Sequence, residues 1–309
     1  MLTRFEDLPN ELLVDIFSYF DVPNLYSTFW SLNRRLNNVL ASLRNLSLRI
    51  DETQSDCIET FAEQVSRLKI SDTSMPIDLS KFFNLRSLEL ERASKYLLKQ
   101  ICSDLIPSLN FLSISTPFYI SLPSKLIDEI FSERFSSLHD VHLGRVDRFQ
   151  TFSNYRSTSL RRLSLTCIDP NLICQILFIC PALVSFHVRF SGQNQHILSP
   201  MLSYSKHPLK EFYLEDPYHK LNFQTLKTLF LYIINVERFV LQCACEVSFL
   251  EFVQTISDCL ENLTDFHCDI LEFSQPFAPS IETIQTVKSC FQTIRCSEKD
   301  NGYRRFITD

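Results

Sequence analysis

The sequence predicts an α/β fold: an N-terminal module of three short helices over residues 1–43, then about 10–11 irregular strand–turn–helix repeats over residues 44–309. Three observations carry this. A six-residue hydrophobic motif returns along the chain from Leu43 to Phe291. Apolar stripes at helical spacing lie between its copies. The whole chain has only three glycines, which disfavours the tight hairpins of all-β barrels and the phosphate-cradling loops of nucleotide-binding enzymes.

The helical module comes first. Pro9 falls in the first turn of a helix, where its missing N–H is not needed, with Asp7 as N-cap. Leu8, Leu12, Ile16 and Phe20 recur every four residues beside Leu13 and Phe17, with Asn10, Glu11, Asp15 and Ser18 opposite. An amphipathic helix of about three turns follows. Asp21 caps a second helix with Pro23 in its first turn and Leu25, Phe29 and Leu32 as its stripe. Asn33 caps a third, with Leu36, Val39, Leu40 and Leu43 at i, i+3, i+4 and i+7. So small a module buries too little surface to stand alone and must lean on the following domain or on a partner.

This segment resembles the F-box. Leu8-Pro9-x-Glu11, then Ile16-Phe17-x-Tyr19-Phe20, Asp21 and Leu25, and finally Leu32-Asn33-Arg34-Arg35, follow that family's pattern in register. Leu36 stands where the family often has Trp or Phe. The resemblance implies docking to a Skp-type adaptor and through it to a cullin, with Leu8, Pro9, Leu12, Ile16, Phe17, Leu25 and Leu32 as contacts. The plain alternative is a helical cap over the repeats.

The motif reads LRNLSL, VSRLKI, LRSLEL, LNFLSI, LHDVHL, LRRLSL, LVSFHV, LKEFYL, VERFVL, LTDFHC and FQTIRC. Its starts are Leu43, Val65, Leu85, Leu109, Leu138, Leu160, Leu183, Leu209, Val236, Leu263 and Phe291, on average about 25 residues apart. Leu172, Ile176 and Ile179, then Leu250, Val253 and Leu260, then Ile281, Ile284 and Val287, are helical stripes between copies. The pattern is similar to the helix-containing leucine-rich repeats that often follow an F-box, which implies a horseshoe with parallel strands inside and helices outside. The Asn or Cys usual three residues past the motif is replaced by Ala93, Pro117, Val146, Ile168, Ser191 and Pro217, so the turns must close their backbone bonds by other means.

In such a strand the fourth and sixth motif residues face the core, and the third, fifth and seventh face the concave side. The fifth position gives the column Ser47, Lys69, Glu89, Ser113, His142, Ser164, His187, Tyr213, Val240, His267 and Arg295. From it and its flanks, His142, His187, Arg189, Tyr213, Arg238 and His267 are the candidate residues for a protein target, Tyr and Arg being the types that anchor interfaces. A solvated strand face carries polar residues in any case, so each of them also has that plain reading. Asp265, His267 and Asp269 alternate on one strand, but side chains two apart stand roughly 7 Å from each other, too wide for one metal ion. Cys243 and Cys245 share the inward parity of Phe239 and Leu241 and read as core fillers.

A net charge of −6 opposes electrostatic binding to nucleic acid, and the pairs Arg34–Arg35, Arg161–Arg162 and Arg304–Arg305 read as solvated faces. Eleven cysteines without a CxxC spacing suit a reducing compartment rather than a disulfide framework. Neither a secretory signal nor a membrane span is expected: the most apolar stretch, Leu172 to Val188, is broken by Gln175 and Pro181. No HExxH, GxSxG, Walker or kinase signature occurs, so neither catalysis nor a cofactor is expected. The expectation is a soluble cytoplasmic or nuclear protein acting as the substrate-recognition adaptor subunit of an SCF (Skp–cullin–F-box) E3 ubiquitin ligase. The alternative is a leucine-rich-repeat interaction scaffold not coupled to ubiquitin transfer.

Overall fold

The computed structural model describes residues 5–51, 55–71, 76–116, 122–146, 156–191, 207–273, 280–299 and 303–308. The chain divides into two compact units, Met1–Ile130 with Arg134–His142, and Phe131–Glu133 with Leu143–Asp309. Among the described residues no helix is long and apolar enough to cross a membrane.

The first unit opens with three short helices, α1 (Asn10–Phe17), α2 (Val22–Phe29) and α3 (Arg34–Ser42). As expected, Asp21 caps α2 by accepting from the Asn24 N–H, and Asn33 caps α3 by accepting from the Leu36 N–H. Helix α1 differs from expectation. Pro9 itself holds the N-cap position, Asp7 lies in a preceding 3₁₀ turn, and the helix ends at Phe17 after little more than two turns. There follow β1 (Leu46–Ile50), α4 (Ser55–Phe61), β2 (Val65–Ile70), β3 (Ser87–Glu91), α5 (Lys95–Gln100) and β4 (Phe111–Ser115). Strands β1 to β4 pair in parallel, in sequence order. The module does lean on the next element: Phe61 of α4 meets Tyr26 and Trp30 edge-on at 6.5 and 5.5 Å between ring centroids. Helix α6 (Ser124–Phe131) and β5 (Asp140–Val146) lie at the division.

The second unit runs β6 (Arg162–Cys167), α7 (Pro170–Ile179), β7 (Ser185–Phe190), β8 (Glu211–Glu215), α8 (Phe223–Phe230), β9 (Arg238–Cys245), α9 (Phe249–Cys259), β10 (Asp265–Phe273), α10 (Ile281–Gln285), β11 (Arg295–Lys299) and β12 (Tyr303–Ile307). Strands β6 to β10 pair in parallel and in order. The sequence does not anticipate what comes next. Strand β12 inserts antiparallel between β10 and β11, so the eleventh motif copy is one strand removed from the tenth. Antiparallel neighbours need only a short connection, and Phe306, buried in β12, gives that strand its inward face.

The inward positions behave as predicted. From β2 onward every fourth and sixth motif residue but Cys296 is buried, including Leu68 and Ile70, Phe186 and Val188, Phe239 and Leu241. The first copy is the exception in register: Leu48 pairs with Leu68 and Ile50 with Ile70, so the column begins at Arg49, opposite Lys69, and not at Ser47. Cys243 and Cys245 are buried fillers, and burial pushes the Cys245 thiol up to about 12.

Without the usual Asn or Cys, two other devices link successive repeats at the strand starts. The N–H of the second motif residue donates to the carbonyl of the same residue in the preceding copy: Arg86 to Ser66, Asn110 to Arg86, Val184 to Arg161, Lys210 to Val184 and Glu237 to Lys210, each at 2.8 Å. Side-chain amides just ahead of the motif also reach back one repeat: Gln64 to the Ala41 carbonyl, Asn84 to that of Glu63 and Asn235 to that of His207. Past β8 the buried Asp216 holds its turn, accepting from the Leu221 N–H at 2.7 Å, and its burial raises its pKa above the ordinary carboxylate value.

His207 is the pin of this second system. It is buried, its Nε2–H donates to the Cys180 carbonyl at 2.9 Å, and its Nδ1 accepts from the Leu209 N–H at 3.1 Å. Both nitrogens are thereby committed to the neutral ring, and burial lowers its pKa below 6.5. The folded state therefore resists protonation while the unfolded state accepts it near pH 6.5, so this ring's contribution to stability is complete above that pH and declines as the pH falls below it. Denaturant unfolding between about pH 8 and pH 5 should show a stability slope of up to about 1.4 kcal/mol per pH unit that is reduced in His207→Gln. Equal slopes in both proteins would remove His207 from this role.

Candidate functional site

Two surfaces present the residues singled out from the sequence. On the N-terminal module, Leu8 and Ile16 are half-buried and Pro9 is exposed. Leu12 is 48% and Leu32 60% exposed. Phe17 and Leu25 are fully buried and so support this surface from beneath instead of facing a partner. The burial of Phe17 belongs to an aromatic cluster centred on Phe29, whose ring lies 4.8 Å from Phe17, 5.4 Å from Phe20 and 5.8 Å from Phe5. Leu36 is likewise core. Tyr19 is the most exposed large apolar side chain of the module, at 88%. Of twelve such exposed side chains among the described residues, six lie between Phe5 and Leu32. Scattered single exposures are ordinary, but this concentration on about a tenth of the chain sets the module apart from the rest of the described residues.

The second surface is the outward face of β7 to β10. The registers His187↔Tyr213, Tyr213↔Val240 and Val240↔His267 place the fifth motif residues side by side, as the sequence predicts. Contacts then run across the strands. His187 Nε2 lies 3.1 Å from Glu215 Oε1, and the His187 and Tyr213 rings are 5.7 Å apart. The Arg238 guanidinium lies over the Tyr213 ring at 5.8 Å and its Nε is 3.2 Å from Asp265 Oδ2. His267 Nε2 meets the other oxygen of Asp265 at 2.9 Å. Arg189 stands 4.0 Å from Glu215. Five of the six predicted residues are thus joined into one strip. His142 belongs to the first unit, with Nε2 3.1 Å from Asp140 and its ring 5.5 Å from Phe111.

Asp269 is paired with Arg305, which donates from Nε and Nη2 at 2.7 and 2.6 Å to its two oxygens. Arg305 is a residue that sequence reasoning missed, as is its neighbour Arg304. Arg304 is no solvated residue: it is buried, 3.4 Å from the buried Glu272 carboxylate and over the Phe306 ring at 4.9 Å. The alternation Tyr303, Arg305, Ile307 against Arg304 and Phe306 is a strand signal, but two adjacent arginines disguised it. Arg35, the second member of another such pair, is also engaged, as described below.

The strip therefore offers an aromatic ring between a histidine and an arginine, bordered by carboxylates, on a rigid sheet. Such a face can bind; no nucleophile with an adjacent base appears in it. The chain matches no model of a known protein family, and a search of curated proteins returns no match.

Arg238 and Phe239 are sequence neighbours on opposite faces, which gives a direct check. Exposed ion pairs contribute less than about 1 kcal/mol, whereas emptying a buried phenylalanine site costs about 3–5 kcal/mol. Chemical denaturation should therefore barely distinguish Arg238→Ala from the parent and should place Phe239→Ala far below it. Comparable losses in the two variants would show that the strip is part of the fold's support.

Proposed function

We propose that this protein is the target-recognition subunit of an SCF-type ubiquitin ligase, its N-terminal helices an F-box that docks a Skp-type adaptor and its repeats a leucine-rich-repeat horseshoe that captures a protein target. The observation that carries the reading is the concentration of exposed apolar side chains between Phe5 and Leu32, on a module whose own aromatic core is already filled. Leu8, Pro9, Leu12, Ile16 and Leu32 are the contact residues in this reading, over a base that includes Phe17 and Leu25.

The repeats supply the other half. Their parallel strands and inward apolar ladder agree with an α/β repeat array, and the strip of His187, Arg189, Tyr213, Arg238 and His267 lies on what would be the concave wall. The chain would do no bond chemistry. It would hold a target near a ubiquitin-loaded conjugating enzyme and raise the effective concentration of the target lysine.

Capture of a purified Skp-type adaptor tests the docking half. Leu12→Asp with Leu32→Asp alters exposed positions only, and at about 2 kcal/mol for each anchor the pair should weaken capture by a hundredfold or more. Undiminished capture by the double variant would sink the adaptor reading. Half-life of the captured target, with and without the chain, then separates a ligase subunit from a scaffold without ubiquitin transfer.

The recognition half has its own test. His187→Ala, Tyr213→Ala and Arg238→Ala combined should abolish target capture by the full chain while leaving adaptor capture and the unfolding midpoint as they were. A partner retained by this triple variant would place recognition elsewhere.

A further inference from the structure

Helix α1 begins without a side-chain cap, because Pro9 at the N-cap position has no group to offer the first-turn N–H donors. The segment leading into it is nevertheless held, from a different helix. Arg35, in the first turn of α3, donates to the backbone carbonyls of Glu6 and Leu8. Its Nε and Nη2 donate to Asn10 Oδ1 at 3.0 and 2.8 Å. Asn33, the cap of α3, adds a bond from Nδ2 to Glu6 Oε1 at 3.1 Å. The cap and a first-turn residue of α3 therefore grip three points on the stretch that carries Leu8 and Pro9, more than twenty residues earlier in the chain. From the other side Phe5 stacks on Phe29 with ring centroids 5.8 Å apart.

We infer that Arg35 is a positioning residue, which holds the Leu8–Pro9 turn and the start of α1 in the conformation that receives the adaptor. The inference rests on the adaptor reading of this module. A planar fork is required, because three acceptors in different directions are reached at once; a lysine ammonium is a single point on a flexible stem. A loose lead-in segment would leave only a fraction of molecules competent, so the apparent dissociation constant would rise by the inverse of that fraction. The loss would appear in association, since the contacts that set dissociation are those of Leu8, Pro9, Leu12, Ile16 and Leu32, and these are unchanged.

Two measurements on the full chain test this, with a purified Skp-type adaptor as probe. In Arg35→Lys the association rate should fall about tenfold and the dissociation rate should stay within about twofold. Hydrogen exchange of the Leu13 amide, which donates to the Pro9 carbonyl, should quicken by a similar factor, while the Leu40 amide of α3 keeps its rate. Asn10→Ala, which removes one acceptor and keeps Arg35, should move association and Leu13 exchange the same way by less. An unchanged association rate overturns the inference, as does a loss confined to dissociation, which would make Arg35 a contact residue. Equal quickening in α1 and α3 also overturns it, as general support of the module. If the unaltered chain fails to bind the adaptor, the docking reading falls at that control and this inference with it.

Discussion

The structure depends on one constraint: the inward side chains of successive strands must stand in register, because no repeat can bury its own apolar face. In the second unit this is an aromatic stack. Phe186, Phe212, Phe239 and Phe266 are register partners, with centroids 5.9, 5.7 and 5.8 Å apart, a little more than the strand spacing of about 4.8 Å. Phe291 closes this column edge-on to Phe266 at 5.3 Å, and Phe306 stacks on Phe249 at 4.0 Å. Phe212, Phe239 and Phe266 each have a ring on both sides, so stability belongs to the pairs of repeats more than to any repeat alone.

Scarcity of glycine sets the second demand. Ser31, Asn45, Arg92 and His219 adopt positive φ of 66°, 61°, 60° and 55° without the freedom that glycine would bring. Each such residue costs about 1 kcal/mol and persists only where its surroundings fix it. The surroundings here are hydrogen bonds. His219 sits in the turn held by the buried Asp216, and Arg92 donates its N–H to the Ser115 carbonyl of the next strand. The bonds that link repeats at the strand starts and the bonds that fix the turns at the strand ends together do what a column of asparagines does in a regular array.

The sequence made the strands legible because their signal is apolar and periodic. All eleven motif copies begin within a few residues of a strand, β2 to β4 and β6 to β10 pair as read, and the polar column from His187 to His267 follows from parity alone. What stayed hidden is pairwise. The shift at β1 comes from the irregularity between Leu46 and Ser47, which spacing cannot reveal. Strand β12 was obscured because Arg304 and Arg305 look solvated until Glu272 and Asp269 are known to face them. Arg35 was obscured for the same reason, its partners lying 25 to 29 residues away. Apolar burial depends on a residue's own side chain, whereas the burial or engagement of a charge depends on a partner that sequence order does not disclose.

The two candidate surfaces differ in what their composition requires. The strip across β7 to β10 is built of exposed pairs, none of which contributes much to stability, because the aromatic stack behind it already holds the strands. Its side chains are therefore unconstrained by folding and available to exchange one polar partner for another, which suits contacts that form and release. The N-terminal surface is the reverse case. Leu12 and Leu32 are exposed although the Phe29 cluster beneath is complete, and apolar surface left in water forfeits roughly 25 cal/mol for each Å². Nothing among the described residues covers them; in the proposed reading the adaptor would bury them and, being held by apolar area, would dissociate slowly. In that reading the N-terminal module would be a durable docking end and the strip an exchangeable capture end, a division that follows from apolar area on one surface and exposed ion pairs on the other.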